Sequence, residues 1–252
     1  MKICFLGTGS SAGTPVIGCR CSVCSSRDPY NCRSRASILV TQNNVNILVD
    51  TGPDFRYQAL REGIPGLTAV FYTHFHADHI NGIDDLRAFN FLQREIIPCY
   101  ADPRTAAELE KRFQYCFLPP DPDWTKPALS MKAIEGALEF SGLLVQPVPV
   151  MHGNLPIYGY RFNDAAYLTD LKSLPESSLS LLGNLELLIL DCLRMEPHPT
   201  HLNLEEAVAL ARRIGARRTL LTHMTHDMDF SSLAGGLPAG IEPAYDGLSV
   251  FL

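Results

Sequence analysis

The sequence predicts an α/β fold in which two β-sheets are covered by helices. Three observations predict it. Apolar runs of strand length alternate with helix-like segments along the chain, and the pattern of strands followed by helices occurs twice. Several of the apolar runs end on a histidine or an aspartate. No repeat, low-complexity segment or interdomain linker interrupts the 252 residues, so 1–252 reads as one domain.

Residues 2–6, 36–40 and 45–49 read as strands, the last two joined by the turn Gln42-Asn43-Asn44. Asp54 stands where an N-cap belongs. The helix it opens runs to about residue 62, where Gly63 ends it. A strand over 67–72 follows, then a helix over 84–91 and a short strand over 98–100. Asp102 as N-cap, with Pro103 at the first helical position, opens a helix to about residue 116. Leu118-Pro119-Pro120-Asp121-Pro122-Asp123-Trp124 reads as a stiff surface loop, because proline fixes φ. Strands are expected over 143–150, 158–162, 166–169, 185–190 and 219–222, with a helix over 204–214.

Composition narrows the class. Apolar residues make up 46% and charged residues 19%, the balance of a soluble globular protein. A formal net charge of -6 disfavours a large nucleic-acid footprint. The opening MKICFLGTGSSAG is too short and too glycine-rich in its apolar part for a signal peptide. No run approaches the roughly 18 apolar residues of a membrane span. A cytoplasmic enzyme is expected.

The densest chemistry lies in Thr73-His74-Phe75-His76-Ala77-Asp78-His79. Three of the eight histidines and one carboxylate fall there, within six residues, which argues against a chance cluster. Histidine and aspartate bind first-row metals, and spacing this dense is hard to satisfy around one tetrahedral ion. His74 and His76, two apart, point the same way from an extended segment. Asp78 and His79 sit at a turn or helix start and aim elsewhere. That geometry suits two adjacent metal ions, a hydrolase arrangement. Three later apolar runs each deliver one more ligand at their C-terminal end: His152, Asp170 and His223. A rigid metal site built on a sheet requires ligands so placed.

The cysteines need a separate account. Cys19, Cys21 and Cys24 form Cys-x-Cys-x2-Cys, a metal site rather than disulfides in a chain without a secretion signal. A closed tetrahedral zinc site needs a fourth ligand, for which Cys32 and His226 are the candidates. Cys4, Cys99, Cys116 and Cys192 lie in apolar surroundings and read as small core residues.

His74-x-His76-x-Asp78-His79, followed by His152, Asp170 and His223, resembles the metallo-β-lactamase superfamily. The resemblance covers most of the chain and includes Asp50 after the third strand. It implies an αββα sandwich with a two-metal site at the sheet edges. By motif, His74, His76 and His152 would hold one divalent ion. Asp78, His79 and His223 would hold the second, and Asp170 would bridge the two. Asp50 would orient a ligand or the metal-bound water from outside the ligand set, so that Asp50 and Asp78 join the catalytic residues.

Further motifs narrow the resemblance. Gly7-Thr8-Gly9-Ser10-Ser11-Ala12-Gly13-Thr14-Pro15 resembles the glycine loop of the superfamily's phosphodiesterases, RNase Z included. Its glycines are wrongly spaced for a dinucleotide fingerprint, and no clear helix follows it. GCRCSVC, with Leu221-Thr222-His223-Met224-Thr225-His226, resembles the cyclic-phosphate phosphodiesterases of the carbon–phosphorus lyase pathway. That likeness implies one structural zinc on Cys19, Cys21, Cys24 and His226. Thr200-His201-Leu202-Asn203-Leu204 precedes a helix, as that family's catalytic histidine does, and Ala244-Tyr245-Asp246-Gly247 is also similar to it.

The expected activity is a metal-dependent phosphodiesterase acting on a small phosphate diester, cyclic ribosyl phosphates included. Two divalent ions about 3.5–4 Å apart, Zn²⁺ or Mn²⁺, lower the pKa of a bridging water and polarise a phosphoryl oxygen. The bridging hydroxide attacks phosphorus in line with the leaving alkoxide. His201 protonates that oxygen or holds a phosphate oxygen. His198 reads as a loop histidine. An RNase Z-like tRNA 3′-processing nuclease ranks second, since the extended basic arm usual there has no counterpart insertion. A carbon-ester or thioester hydrolase of the lactonase or glyoxalase II type ranks third, opposed by the glycine loop and His201. A non-enzymatic metal-binding protein ranks last. The expected partners are a small phosphodiester and, in a homodimer, a second copy of the chain. Neither nucleic acid nor membrane is expected.

Overall fold

The computed structural model describes residues 1–120 and 122–252. Within the expected surface loop 118–124, Asp121 lies outside the described residues. The first half of the chain forms β1 (Lys2–Gly7), β2 (Ser37–Gln42), β3 (Val45–Val49), β4 (Ala69–Phe71), β5 (Ile97–Ala101) and β6 (Leu129–Ala133). The second half forms β7 (Leu138–Phe140), β8 (Leu143–His152), β9 (Leu155–Phe162), β10 (Ala165–Leu168), β11 (Leu187–Asp191), β12 (Arg218–Thr222), β13 (Ile241–Pro243) and β14 (Ser249–Phe251). One seven-stranded sheet has the order β14-β1-β2-β3-β4-β5-β6, and the other β13-β12-β11-β10-β9-β8-β7.

Period-two patterning explains why the sheets stack. Along β1, Ile3 and Phe5 enter one apolar cluster while Cys4 and Leu6 enter another. Along β11, Leu187 and Ile189 join Ile3 and Phe5, whereas Leu188 and Leu190 face a third cluster. The first cluster therefore lies between the sheets, and the other two lie under helices on the outer faces. Strands buried on both faces read as continuous apolar runs, as Leu187–Asp191 does. Helices α1 (Phe55–Glu62), α2 (Ala77–Ile80), α3 (Arg87–Gln93) and α4 (Pro103–Arg112) belong to the first half. Helices α5 (Glu176–Leu179), α6 (Leu204–Ile214) and α7 (Phe230–Gly236) belong to the second. The result is an α/β sandwich of four layers, αββα.

The expected elements are present with shifted ends, and some details differ. Asp54 precedes α1 but makes no capping hydrogen bond. Its carboxylate is drawn instead to Arg35, accepting from the backbone N–H at 2.9 Å and from the guanidinium at 3.0 Å. A charged partner outbids an ordinary N-cap contact. Gly63 does end α1 in the left-handed conformation, φ 60°. The helix expected over 84–91 is a 3₁₀ turn, Ile83–Leu86, followed by α3. The helix expected to reach residue 116 stops at Arg112, and a 3₁₀ turn, Gln114–Phe117, follows. Strands β6, β7, β13 and β14 and helices α5 and α7 had no expectation. Most are three or four residues long, too short for periodicity to show.

Candidate metal centre

Parallel pairing in the middle of both sheets sends several strand ends to one edge. β3, β4 and β5 run parallel in one sheet, and β10, β11 and β12 in the other. Asp50 follows β3, Asp170 stands two residues beyond β10, Asp191 ends β11 and His223 follows β12. Asp50, Asp170 and His223 all adopt left-handed backbone, with φ of 64°, 56° and 61°. Such conformations cost about 1–3 kcal/mol each in non-glycine residues and gather at functional sites.

The histidine-rich motif splits as its spacing predicts. His74 lies on the extended segment after β4, His76 is the N-cap of α2, and Asp78 and His79 lie within α2. One cluster of ligand atoms within 4.8 Å of one another comprises His74, His76 and His152. A second comprises Asp78, His79, Asp170 and His223. Asp170 joins them: its Oδ1 is 3.9 Å from His74 Nε2 and 3.3 Å from His223 Nε2, and its Oδ2 is 3.2 Å from His79 Nε2.

Asp50 organises two of these rings. Its Oδ1 accepts the Thr73 N–H at 2.8 Å, and its Oδ2 accepts His79 Nδ1 at 2.7 Å and the Thr73 hydroxyl at 2.8 Å. The hydroxyl proton is thereby committed, so Thr73 Oγ1 accepts from His74 Nδ1 at 3.0 Å. These contacts fix a proton on Nδ1 of each ring and leave Nε2 of both for the metal edge. On the opposite side Thr200 C=O accepts from His152 Nδ1 at 2.9 Å, which leaves Nε2 of His152 bare as well.

These nitrogens test whether a metal fits. Nε2 of His74, Nε2 of His79 and both ring nitrogens of His223 are buried without a hydrogen-bond partner. An unpaired buried acceptor is unfavourable by about 1–3 kcal/mol, and a divalent ion answers that cost for several at once. The electrostatics agree. Burial pushes His74, His76 and His152 down, so they stay neutral, as ligands must. Burial alone would raise Asp78 and Asp170, but the facing histidines outweigh it and hold both carboxyls below the usual range. The donor set fits two ions.

His201, from the loop before α6, reaches this edge and is 8% exposed. Its ring stacks on His223 with centroids 5.0 Å apart and planes 10° apart, and lies 4.6 Å from the His152 ring. Nδ1 stands 3.3 Å from Asp191 Oδ1, and Nε2 stands 4.0 Å from Asp170 Oδ1. Asp191 is wholly buried, also lies 3.5 Å from His223 Nδ1, and accepts the Leu202 N–H. Sequence reasoning missed Asp191. Its signal was present, since it ends an apolar strand as the other ligands do.

The glycine loop runs beside His223. Ser10 N–H donates to Met224 C=O at 3.1 Å, and Met224 N–H donates to Thr8 C=O at 2.9 Å. Gly9 is required there, because a Cβ would stand 2.7 Å from the Arg33 carbonyl oxygen. Asp246 staples the loop's base by accepting from Thr8 and Ser34. The cysteine cluster follows the same loop in the chain, and the Val16 N–H donates to Cys24 Sγ at 3.3 Å. Sγ of Cys19, Cys21 and Cys24 stands 3.3, 3.4 and 3.4 Å from His226 Nδ1. Thiolate and imidazole on one tetrahedral zinc stand about 3.5 Å apart, given bonds of about 2.3 and 2.0–2.1 Å. The Cys24 N–H and His226 pull the Cys21 thiol down to about 6. Cys32, the other candidate for the fourth position, is exposed and outside the cluster.

Comparisons with known proteins bear on this geometry. A family model described as a beta-lactamase superfamily domain matches residues 45–224. A solved diphosphatase from the PhnP family is 44% identical, with 99% of this chain and 96% of that one covered and a TM-score of 0.93. An octanoyltransferase from Porphyromonas gingivalis is 36% identical over all of this chain. The chain spans about half of that relative's length, 52%. An anti-Pycsar protein from Paenibacillus harenae is 27% identical, with 76% of this chain and 83% of the relative covered. Together with two stacked sheets and a His/Asp-lined edge, these likenesses place the chain in the metallo-β-lactamase superfamily, a family of metal-dependent hydrolases.

Proposed function

We propose that this hydrolase is a phosphodiesterase acting on small phosphate diesters. The observation that carries the reading is His201. It lies against the ligand set without being needed to complete either cluster, and a buried carboxylate, Asp191, holds it. A hydrolase of carbon esters has less use for such a group, because a phosphoryl centre carries more negative oxygens to be held or protonated.

His74, His76 and His152 would hold one divalent ion, and Asp78, His79 and His223 the other, with Asp170 shared. Zn²⁺ and Mn²⁺ both suit this donor set. When bound, two such ions lower the pKa of a water and polarise a phosphoryl oxygen. The chain's own residues do the rest. Asp50 fixes the His79 ring through Nδ1 directly and the His74 ring through the Thr73 hydroxyl, and Thr200 C=O fixes His152. Asp191 turns His201 so that Nε2 faces Asp170, where it can give a proton to a departing alkoxide or hold a phosphoryl oxygen. A structural zinc on Cys19, Cys21, Cys24 and His226 would pin the glycine loop, and with it the chain around His223.

The test is a panel of bis(p-nitrophenyl) phosphate, a 2′,3′-cyclic nucleotide, a lactone, a thioester and a precursor tRNA, each with Mn²⁺ or Zn²⁺. Turnover of the small diesters above the rest is expected. Preference for the lactone or thioester would refute the reading, and preference for the tRNA would replace it with a nuclease.

A further inference from the structure

We infer that a cavity outside the metal edge binds a tetrahedral oxyanion, free or as the head of a phosphomonoester. The inference does not rest on the phosphodiesterase reading.

The cavity, of about 470 Å³, lies between the glycine loop over 12–15, the segment 32–35 that leads into β2, and helix α1. Its wall carries three guanidiniums, Arg33, Arg35 and Arg61, and two carboxylates, Asp54 and Asp246. None of the ligands of the metal edge lines it. On a chain of net charge -6 such a wall is a local concentration of cations.

The carboxylates of the wall are already committed. Asp246 accepts from the N–H and hydroxyl of Thr8, from the N–H and hydroxyl of Ser34, and from Arg61. Asp54 accepts from the backbone N–H and the guanidinium of Arg35. Arg35 and Arg61 are thereby matched within the wall. Arg33 is not. It is 1% exposed, and its guanidinium donates only to neutral oxygens, the carbonyls of Thr225 and Met228 and the side chain of Asn31. Burial pushes Arg33 down against the pull of Asp246 and Asp229, and burial prevails. A buried cation without an ionic partner is costly, and an anion in the cavity it lines offsets that cost.

Donors are left over on the same wall. Arg33 Nε and the Thr14 hydroxyl are buried without a hydrogen-bond partner. Thr14 and Arg33 pair across an antiparallel bridge, which puts their side chains on one face. Arg35 spends Nε on the Ser11 carbonyl and Nη1 on Asp54, so both hydrogens of Nη2 remain. Its guanidinium lies along the loop wall, since a Cβ on Gly13 would stand 3.7 Å from Arg35 Nη1. A ligand that answers donors from separate segments needs charge and acceptor oxygens in several directions. A tetrahedral oxyanion has both, whereas a carboxylate presents its oxygens in one plane.

Sulfate is the probe. Thermal midpoints of the Mn²⁺-loaded protein are read against sulfate at constant ionic strength. Sulfate stabilises folded proteins in general, so the specific signal is a saturable rise that a lining variant weakens. Arg35→Lys keeps a cation opposite Asp54 and removes the spare Nη2 donors. Its half-saturating sulfate concentration should be about 10-fold above that of wild type. His201→Ala, which alters the metal edge, should leave the response unchanged. Selenate soaked into wild-type crystals gives the position directly, with anomalous density expected between Thr14, Arg33 and Arg35. Phenyl phosphate in place of sulfate separates the two sources. Half-saturation below that of sulfate, raised again by Arg35→Lys, marks a phosphomonoester head, and half-saturation above it marks the free ion. Selenate density confined to the metal edge or the outer surface, a sulfate response that never saturates, or a response unchanged in Arg35→Lys would each overturn the inference.

Discussion

Asp50 is wholly buried, and its two oxygens take three hydrogen bonds, two of which orient candidate ligand rings, His79 directly and His74 through the Thr73 hydroxyl. Asp50→Ala would strand the Thr73 N–H and the His79 Nδ1–H without water to replace the carboxylate. Each orphaned donor is worth about 1–3 kcal/mol. Loss of a carboxylate behind a ligating histidine typically weakens metal binding about 10–100-fold. Urea unfolding and competitive metal titration should show both losses together; unchanged metal affinity would count against the role of Asp50. His201→Ala should behave differently. Turnover of an unactivated diester should fall about 10²–10⁴-fold with metal content intact. A nitrophenyl diester should suffer less if His201 is the acid, and equally if it only holds the phosphate. The residues themselves were legible because His74, His76, Asp78 and His79 crowd metal chemistry into one short motif and His152, Asp170 and His223 stand at strand ends. Asp191 carries the same mark, one position beyond the strand expected over 185–190, but no ligand motif names it. Nor does any residue type announce the left-handed backbone of Asp50, Asp170 and His223, which tertiary packing imposes.

Helix α6 was legible to the residue, and its ends say why. Asn203 and Glu206 form a capping box, each side chain accepting the other's backbone N–H, and Gly215 closes the helix at φ 71°. Asp54 shows the limit of the same reasoning. It has an N-cap's residue type and place, but Arg35 claims it, and Arg35 lies 19 residues away in sequence. Glu206 also takes Lys172 Nζ at 2.6 Å. Burial raises its carboxyl, but Lys172 and the Asn203 N–H outweigh this and leave it below its ordinary value. A depressed carboxyl contributes stability above its unfolded pKa, and the contribution fades as pH falls through the folded value. Glu206→Gln should therefore lower the thermal midpoint at pH 7 and leave it nearly unchanged at pH 3. The cysteine loop is an element of another kind, with little regular structure and three thiols converging on one imidazole. Cys21→Ser should remove about one zinc per chain and lower the thermal midpoint, with two metals still able to bind elsewhere. X-ray fluorescence and melting curves give both numbers, and an unaltered zinc count would refute a metal at the thiols.

The candidate metal edge belongs to neither sheet alone. His74, His76, Asp78 and His79 come from the chain after β4, while His152, Asp170 and His223 come from the ends of β8, β10 and β12. Metal bound there ties the two halves together, beyond the apolar cluster they already share. Chelation should then destabilise the whole molecule, by about 4 kcal/mol if the metal had stood at 1,000 times its Kd. The pH dependence of that loss has a definite sign. In the metal-free protein burial pushes His223 down, but Asp170, Asp78 and Asp191 prevail and raise it to about 8, and His79 is raised well above its ordinary value. Protons on these rings then partly neutralise the facing carboxylates. A raised histidine stabilises the fold fully below its unfolded pKa, about 6.5, and that stability is lost as pH rises through the folded value. Metal binding runs the other way, since it needs bare nitrogens and strengthens as protons leave. The difference in thermal midpoint between metal-loaded and chelated protein should accordingly widen from pH 6 to pH 9. Scanning calorimetry of both forms across that range measures it. A difference that shrinks with rising pH would mean that His79 and His223 do not change from proton carriers to metal ligands, and the proposed dinuclear site would lose two of its seven donors.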